Sequence, residues 1–183
     1  MSWSRFSALF ITLFVTVLSY AQPQWQKGTR LAALSANSSL DGLGGGITNA
    51  GFSSSVGTSI FFNEKIALAV DGKYRWAPLS QSMEASWRLQ NRILGAPEFK
   101  HSIIMDVHGT LGQNMNTTLS GEMFGRRMSA WGVGAQYTYW FSSSVGLYVW
   151  PQLNRTNGGP SGLWDWQMIA PVGLQLSWQR KEK

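Results

Sequence analysis

The sequence predicts an all-β fold, an eight-stranded antiparallel up-and-down transmembrane β-barrel preceded by a signal peptide. Three observations predict it. Apolar and polar residues alternate with period two over long stretches, as in Trp164–Trp178, where Trp166, Met168, Ala170, Val172, Leu174, Leu176 and Trp178 share one face. At about 3.3 Å per residue and a tilt of roughly 40°, such a strand climbs on the order of 30 Å, enough for the apolar band about 25 Å tall of a transmembrane barrel. Aromatic residues recur at the ends of the apolar faces, in a chain with ten Trp, nine Phe, five Tyr and only 13% charged residues. The connections also alternate, with tight turns on the side where the chain begins and ends and long loops on the other.

Residues 1–21 read as a secretory signal peptide: Arg5, an apolar run from Ala8 to Leu18, then Ser19, Tyr20 and Ala21 as a small-x-small cleavage pattern. That run is too short to span a bilayer as a helix. Residues 22–183 are then one barrel domain. The chain has no cysteine, which leaves no disulfide, no lipid-modified cysteine and no thiolate metal site. No metal-ligand spacing and no cofactor motif appears, since GLGGG at 42–46 is not followed by Gly-Lys-Ser/Thr. The net charge of +6 is scattered rather than gathered into a stripe, so nucleic acid is not an expected partner.

In chain order, Gly28–Ala36 is the first strand, with poor alternation, and Asn37–Gly51 a loop rich in Gly, Ser and Asn. Phe52–Phe62 and Ile66–Trp76 form a hairpin around Asn63, Glu64 and Lys65. Met83–Gln90 alternates without a break, and His101–Leu111 puts Ile103, Met105 and Val107 opposite Asp106, His108 and Thr110. Gln113–Arg127 reads as a polar loop, Met128–Phe141 as the sixth strand and Ser142–Ser144 as a tight turn. Val145–Leu153 is the seventh strand, Asn154–Leu163 a loop and Trp164–Trp178 the eighth strand. The segments SIFFNEKIALAV (59–70) and TYWFSSSVGLYV (138–149) echo each other as equivalent hairpins. Pro151 and Pro171 fall inside strands, where each removes a ladder donor, and Trp140 and Trp150 lie on the polar parity, which points to bulges.

Alternation leaves two barrels open. In a soluble lipocalin-like barrel the apolar face would line a ligand cavity. In a membrane barrel it meets lipid, and the polar face fills a narrow lumen. The membrane arrangement suits a lumen network of Asp71, Lys73, Arg75, Glu84, Arg88, Asp106, His108 and Gln136, with both charge signs available for pairing, and Gly132 and Gly134 leaving room. It also suits an aromatic girdle of Tyr74, Trp76, Trp131, Tyr139, Phe141, Trp166 and Trp178.

The signal peptide, the eight strands, the FFNEKIALAV hairpin and the aromatic-flanked last strand resemble small outer-membrane barrels of Gram-negative bacteria. The likeness is nearest to the porin-like outer-membrane β-barrel domain family common in the Bacteroidetes, and looser to OmpX-like and OmpW-like barrels. The resemblance implies an outer-membrane location, surrounding lipid and lipopolysaccharide, delivery by the barrel-assembly machinery and a monomer. Such proteins usually finish on an aromatic residue, whereas here Gln179–Lys183 follow Trp178. Some eight-stranded relatives are lipid A deacylases with His and Ser two residues apart on one strand. His108-Gly109-Thr110 and His101-Ser102-Ile103 both depart from that pattern, so no catalytic residue is expected. Arg126, Arg127 and Arg155 lie where lipopolysaccharide phosphates would be met. The expected role is structural or interactive through the outer loops. A narrow channel for small or hydrophobic molecules and a lipid A-modifying enzyme are the alternatives.

Overall fold

The computed structural model describes residues 25–43, 47–77, 80–95, 100–117, 121–157 and 165–179. The expected signal peptide, the turns at Pro78 and Pro97, the loop segment 158–164 and the basic tail 180–183 lie outside the described residues.

Ten strands follow in order: β1 (Thr29–Leu43), β2 (Ile47–Phe61), β3 (Ile66–Ala77), β4 (Ser80–Leu94), β5 (His101–Thr117), β6 (Met123–Trp140), β7 (Val145–Val149), β8 (Gln152–Thr156), β9 (Asp165–Ile169) and β10 (Val172–Gln179). All neighbours are antiparallel, β5 pairs with β6, and β10 pairs with β1, so the sheet closes on itself. The ring has eight staves because β7 with β8, and β9 with β10, are single staves broken at Pro151 and at Pro171. Register runs unchanged through both breaks: Tyr137–Val149 and Gly134–Gln152 belong to one series, as do Val172–Val149 and Ile169–Gln152.

Three expectations need correction. The stretches read as loops at Asn37–Gly51 and Gln113–Arg127 are mostly strand, with pairing that continues to Leu43–Ile47 and to Thr117–Met123. Their polar composition marks strands that outrun the apolar band, because backbone pairing does not need apolar side chains. The loop expected from Asn154 begins later, since β8 continues to Thr156. There is no bulge at Trp140 or Trp150. Among the described residues the register slips at one place, between Arg92 and Leu94.

The echo between the two hairpins has a physical basis. At one turn the Phe62 amide donates to the Ile66 carbonyl (2.8 Å), and Asn63 Oδ1 accepts from the amides of Lys65 and Ile66 (2.8 Å each). At the other, the Phe141 amide donates to Val145 (2.9 Å), and Ser142 Oγ accepts from the amides of Ser144 and Val145. A short side-chain acceptor at the first turn position satisfies donors that the ladder has released.

The two faces of the wall differ as a membrane barrel requires. Outward residues such as Leu34, Val56, Val70, Trp87, Val107, Val133 and Leu174 are exposed. This surface is continuous around the ring, far beyond the few hundred Å² of a typical soluble patch. Inward at the turn end, Leu31, Phe61, Ala67, Ile104 and Trp140 pack with Trp25 from the lead segment. Phe61 and Trp140 are equivalent residues of the echoing hairpins, and each stands next to a small partner across its turn, Ala67 and Gly146.

Candidate functional site in the lumen and at the rim

The middle of the lumen is filled by a network on the inward parity of β3 to β10. Arg88 donates through Nε and Nη2 to the two carboxylate oxygens of Asp71, each at 2.6 Å. Its guanidinium also lies 4.2 Å from the ring centroid of Trp150 and donates to Gln136 Oε1 at 3.4 Å. This fork matches a carboxylate in two parallel bonds, which a lysine could not do. Gln136 continues to Thr138 (3.2 Å), whose hydroxyl donates to Gln175 (2.9 Å).

A second branch runs from Asp106. His108 Nδ1 is 2.7 Å from Asp106 Oδ1, while Trp150 Nε1 donates to Asp106 Oδ2 at 2.7 Å. His108 Nε2 lies 2.5 Å from Asn154 Oδ1, and Asn154 Nδ2 donates to Gln152 at 3.4 Å. Trp150 thus joins the branches, stacked under Arg88 and bonded to Asp106. Glycine makes the space: a Cβ at Gly57 would overlap the Asp71 carboxylate, one at Gly132 would overlap Asn154, and one at Gly134 would overlap the Trp150 indole.

The structure brings Asp71, Arg88, Asp106, His108 and Gln136 into one buried cluster. Lys73 and Glu84 pair separately at 3.5 Å, with Ser82 donating to Glu84 at 3.0 Å, one step nearer the loop end. Arg75 follows on the same inward parity, half-buried. Sequence reasoning missed Trp150, Asn154, Gln152 and Gln175. Gln175 was legible, since it sits on the polar parity of the last strand. Asn154 lies in a polar stretch whose composition is that of a loop, and Trp150 on a parity where an aromatic points to a bulge.

The girdle residues divide between the two ends. Tyr139 and Phe141 touch at 5.3 Å near the turn end, where Trp178 pairs with Arg30. Trp131 and Trp166 touch at 6.0 Å near the loop end, the end that Tyr74 and Trp76 also approach. Arg126, Arg127 and Arg155 do not share a face. Arg126 is on the lumen parity, whereas Arg127 and Arg155 point outward, Arg155 lying 5.8 Å over the Trp166 ring.

Both ring nitrogens of His108 are occupied by Asp106 and Asn154. Neither is presented to a hydroxyl as a general base would be. His101 points outward, with Nδ1 2.6 Å from the Tyr137 hydroxyl.

No protein-family model and no curated protein matches the chain. Among solved structures, the chain is similar to Neisserial surface protein A, with a TM-score of 0.57 at 15% identity over 81% of this chain and 93% of that one. It is also similar to the N-terminal β-barrel domain of Pseudomonas aeruginosa OprF, with a TM-score of 0.54 at 15% identity over 85% of this chain and 100% of that one. At that identity the likeness establishes the fold, an eight-stave antiparallel barrel.

Proposed function

We propose that this chain is a Gram-negative outer-membrane barrel with a closed lumen, acting as a structural or surface-interaction element through its loop-end hairpins. The observation that carries this reading is the double closure of the lumen. The Asp71–Arg88–Trp150–Asp106–His108 network fills the waist, and Trp25, Phe61 and Trp140 fill the turn end. An eight-stranded barrel is just wide enough for its own side chains, so no continuous water path is left for ions. Both structural neighbours are eight-stranded outer-membrane barrels, which supports the location. Within that class, the strand pattern favours the porin-like barrel domain common in the Bacteroidetes. On this reading the turn end faces the periplasm, the chain is delivered by the barrel-assembly machinery after loss of residues 1–21, and it works as a monomer without catalysis. The occupied ring nitrogens of His108 support the last point.

Planar-bilayer recording of the refolded protein tests the closure. No ionic conductance is expected, and reproducible channel steps would refute a sealed lumen. A second reading concerns the rim. Arg155 stands outward beside the Trp131–Trp166 pair, and Arg127 faces outward further along β6 towards the loop end, positions suited to lipopolysaccharide phosphates. Arg127→Gln with Arg155→Gln should reduce co-purified lipopolysaccharide, while Arg126→Gln on the lumen side should not.

A further inference from the structure

Charge is partitioned along the barrel axis. In the lumen, Lys73, Arg75 and Arg88 are matched by Asp71, Glu84 and Asp106. At the loop end, Arg126, Arg127 and Arg155 are matched in number by Asp41, Glu122 and Asp165. The turn end is different. Among the described residues it carries Lys27, Arg30, Lys65, Arg92 and Lys100 against Glu64. Five cations against one carboxylate leave the described residues of this end with a net charge of +4, where the lumen and the loop end each balance.

Three of these cations, Arg30, Lys65 and Lys100, stand at the level of lipid-facing rings, whereas Arg92 lies inward over Trp25. Arg30 is outward and is flanked in the ladders by Trp178 on β10 and Ile60 on β2, both exposed. Lys65 sits in the turn between exposed Phe62 and Ile66. Lys100 is exposed immediately before β5, whose first residue His101 lies beside Tyr139 and Tyr137, its ring 5.3 Å from that of Tyr139. Aromatic rings of this kind mark the depth where acyl chains give way to headgroups. A Lys or Arg at that depth lays its stem on apolar surface and holds its charge at the phosphates.

We propose that the turn end forms a collar that selects the phosphate headgroups of anionic glycerophospholipids in the leaflet it contacts. A soluble acidic partner in the periplasm would meet the cations without needing them set among lipid-facing rings. The proposal rests on the membrane-barrel reading. It differs from the lipopolysaccharide reading in the end of the barrel and in the residues involved.

The test uses the refolded full chain in phosphatidylcholine vesicles, with spin-labelled phosphatidylglycerol or spin-labelled phosphatidylcholine as probe. The motionally restricted fraction of each gives the relative affinity. A cation near an anionic membrane surface is worth about 1 kcal/mol, so wild type should prefer phosphatidylglycerol by roughly fivefold at low salt. Screening should reduce the preference in high salt. The Arg30→Gln/Lys65→Gln/Lys100→Gln variant should fall to near parity, and Arg127→Gln/Arg155→Gln at the other end should keep the wild-type preference. Equal restriction of both lipids by wild type, or a triple variant within twofold of wild type, overturns the proposal. A heat-dependent mobility shift on electrophoresis shows in each case that the barrel has folded. Its absence in wild type would count against the membrane barrel itself and not against the collar alone.

Discussion

Arg88→Met is the sharpest probe of the lumen. Arg88 is 3% exposed and makes two 2.6 Å bonds to Asp71, one longer bond to Gln136 and a stacking contact with Trp150. Methionine keeps much of the length and none of the charge, so Asp71 would face the waist of the lumen without its partner. Breaking a buried ion pair from one side costs about 3–5 kcal/mol, because the remaining charge has lost both water and counter-ion. The lost cation–π contact adds up to about 2 kcal/mol, though not independently. A loss of about 4 kcal/mol is therefore expected, roughly a thousandfold in the folding equilibrium. The assay is urea unfolding of the refolded protein in vesicles, followed by the heat-dependent mobility shift. Arg88→Met/Asp71→Leu should recover most of the loss, since exchanging both members of a buried pair for apolar groups is often neutral. A single variant within about 1 kcal/mol of wild type, or a double variant as unstable as the single, would refute the claim that the pair organises the lumen.

The same unfolding assay separates two glycines. Gly134→Val pushes into the Trp150 indole and the Asp106 carboxylate and should cost about 1–3 kcal/mol by overpacking, whereas Gly72→Ala, whose added Cβ meets nothing within 4 Å, should be neutral or slightly stabilising. Phe61→Ala removes a ring that Trp25 touches at 5.1 Å and should cost about 3–5 kcal/mol, with equal stability refuting the packed base. Native-state hydrogen exchange should find Trp166, Gln167 and Met168 among the fastest strand amides, because β9 pairs with β8 while, among the described residues, no ladder joins it to β1. Protection of β9 equal to that of β6 would show a fully zipped seam.

Strand identity was legible wherever one face meets lipid and the other the lumen, as in β4, where Met83, Trp87 and Leu89 are exposed and Ser82, Arg88 and Gln90 buried. Legibility failed where that contrast reverses. In β1, inward Leu31 belongs to the apolar base and outward Arg30 to the headgroup level, so the usual polarity is inverted at both positions and the alternation looks poor. Past the apolar band both faces meet water, and the outer halves of β5 and β6 read as loop although the Gln113–Arg127 and Thr117–Met123 pairs hold them in register. The charged members of the lumen cluster were legible from parity. Which of them meet was not, because Arg88, Gln136 and Asn154 come from strands whose spacing only the closed ring defines.

The two prolines show how the wall absorbs lost ladder donors without a bulge. A proline inside a strand removes a donor, and lipid cannot replace it. Yet Pro151 and Pro171 stand on adjacent staves at nearly the same height, so the disturbance is confined to one level of the wall. Each still accepts: the Ala135 amide donates to the Pro151 carbonyl at 3.0 Å and the Trp150 amide to the Pro171 carbonyl at 2.9 Å. What the prolines forfeit is the return bond to the carbonyls of Ala135 and Trp150. An under-satisfied carbonyl is tolerated more often than an orphaned amide, so the cost stays modest. A bulge would have restored a donor only by rotating Trp150 outward. The wall keeps its register instead, and Trp150 stays in the lumen, bonded to Asp106 and stacked on Arg88.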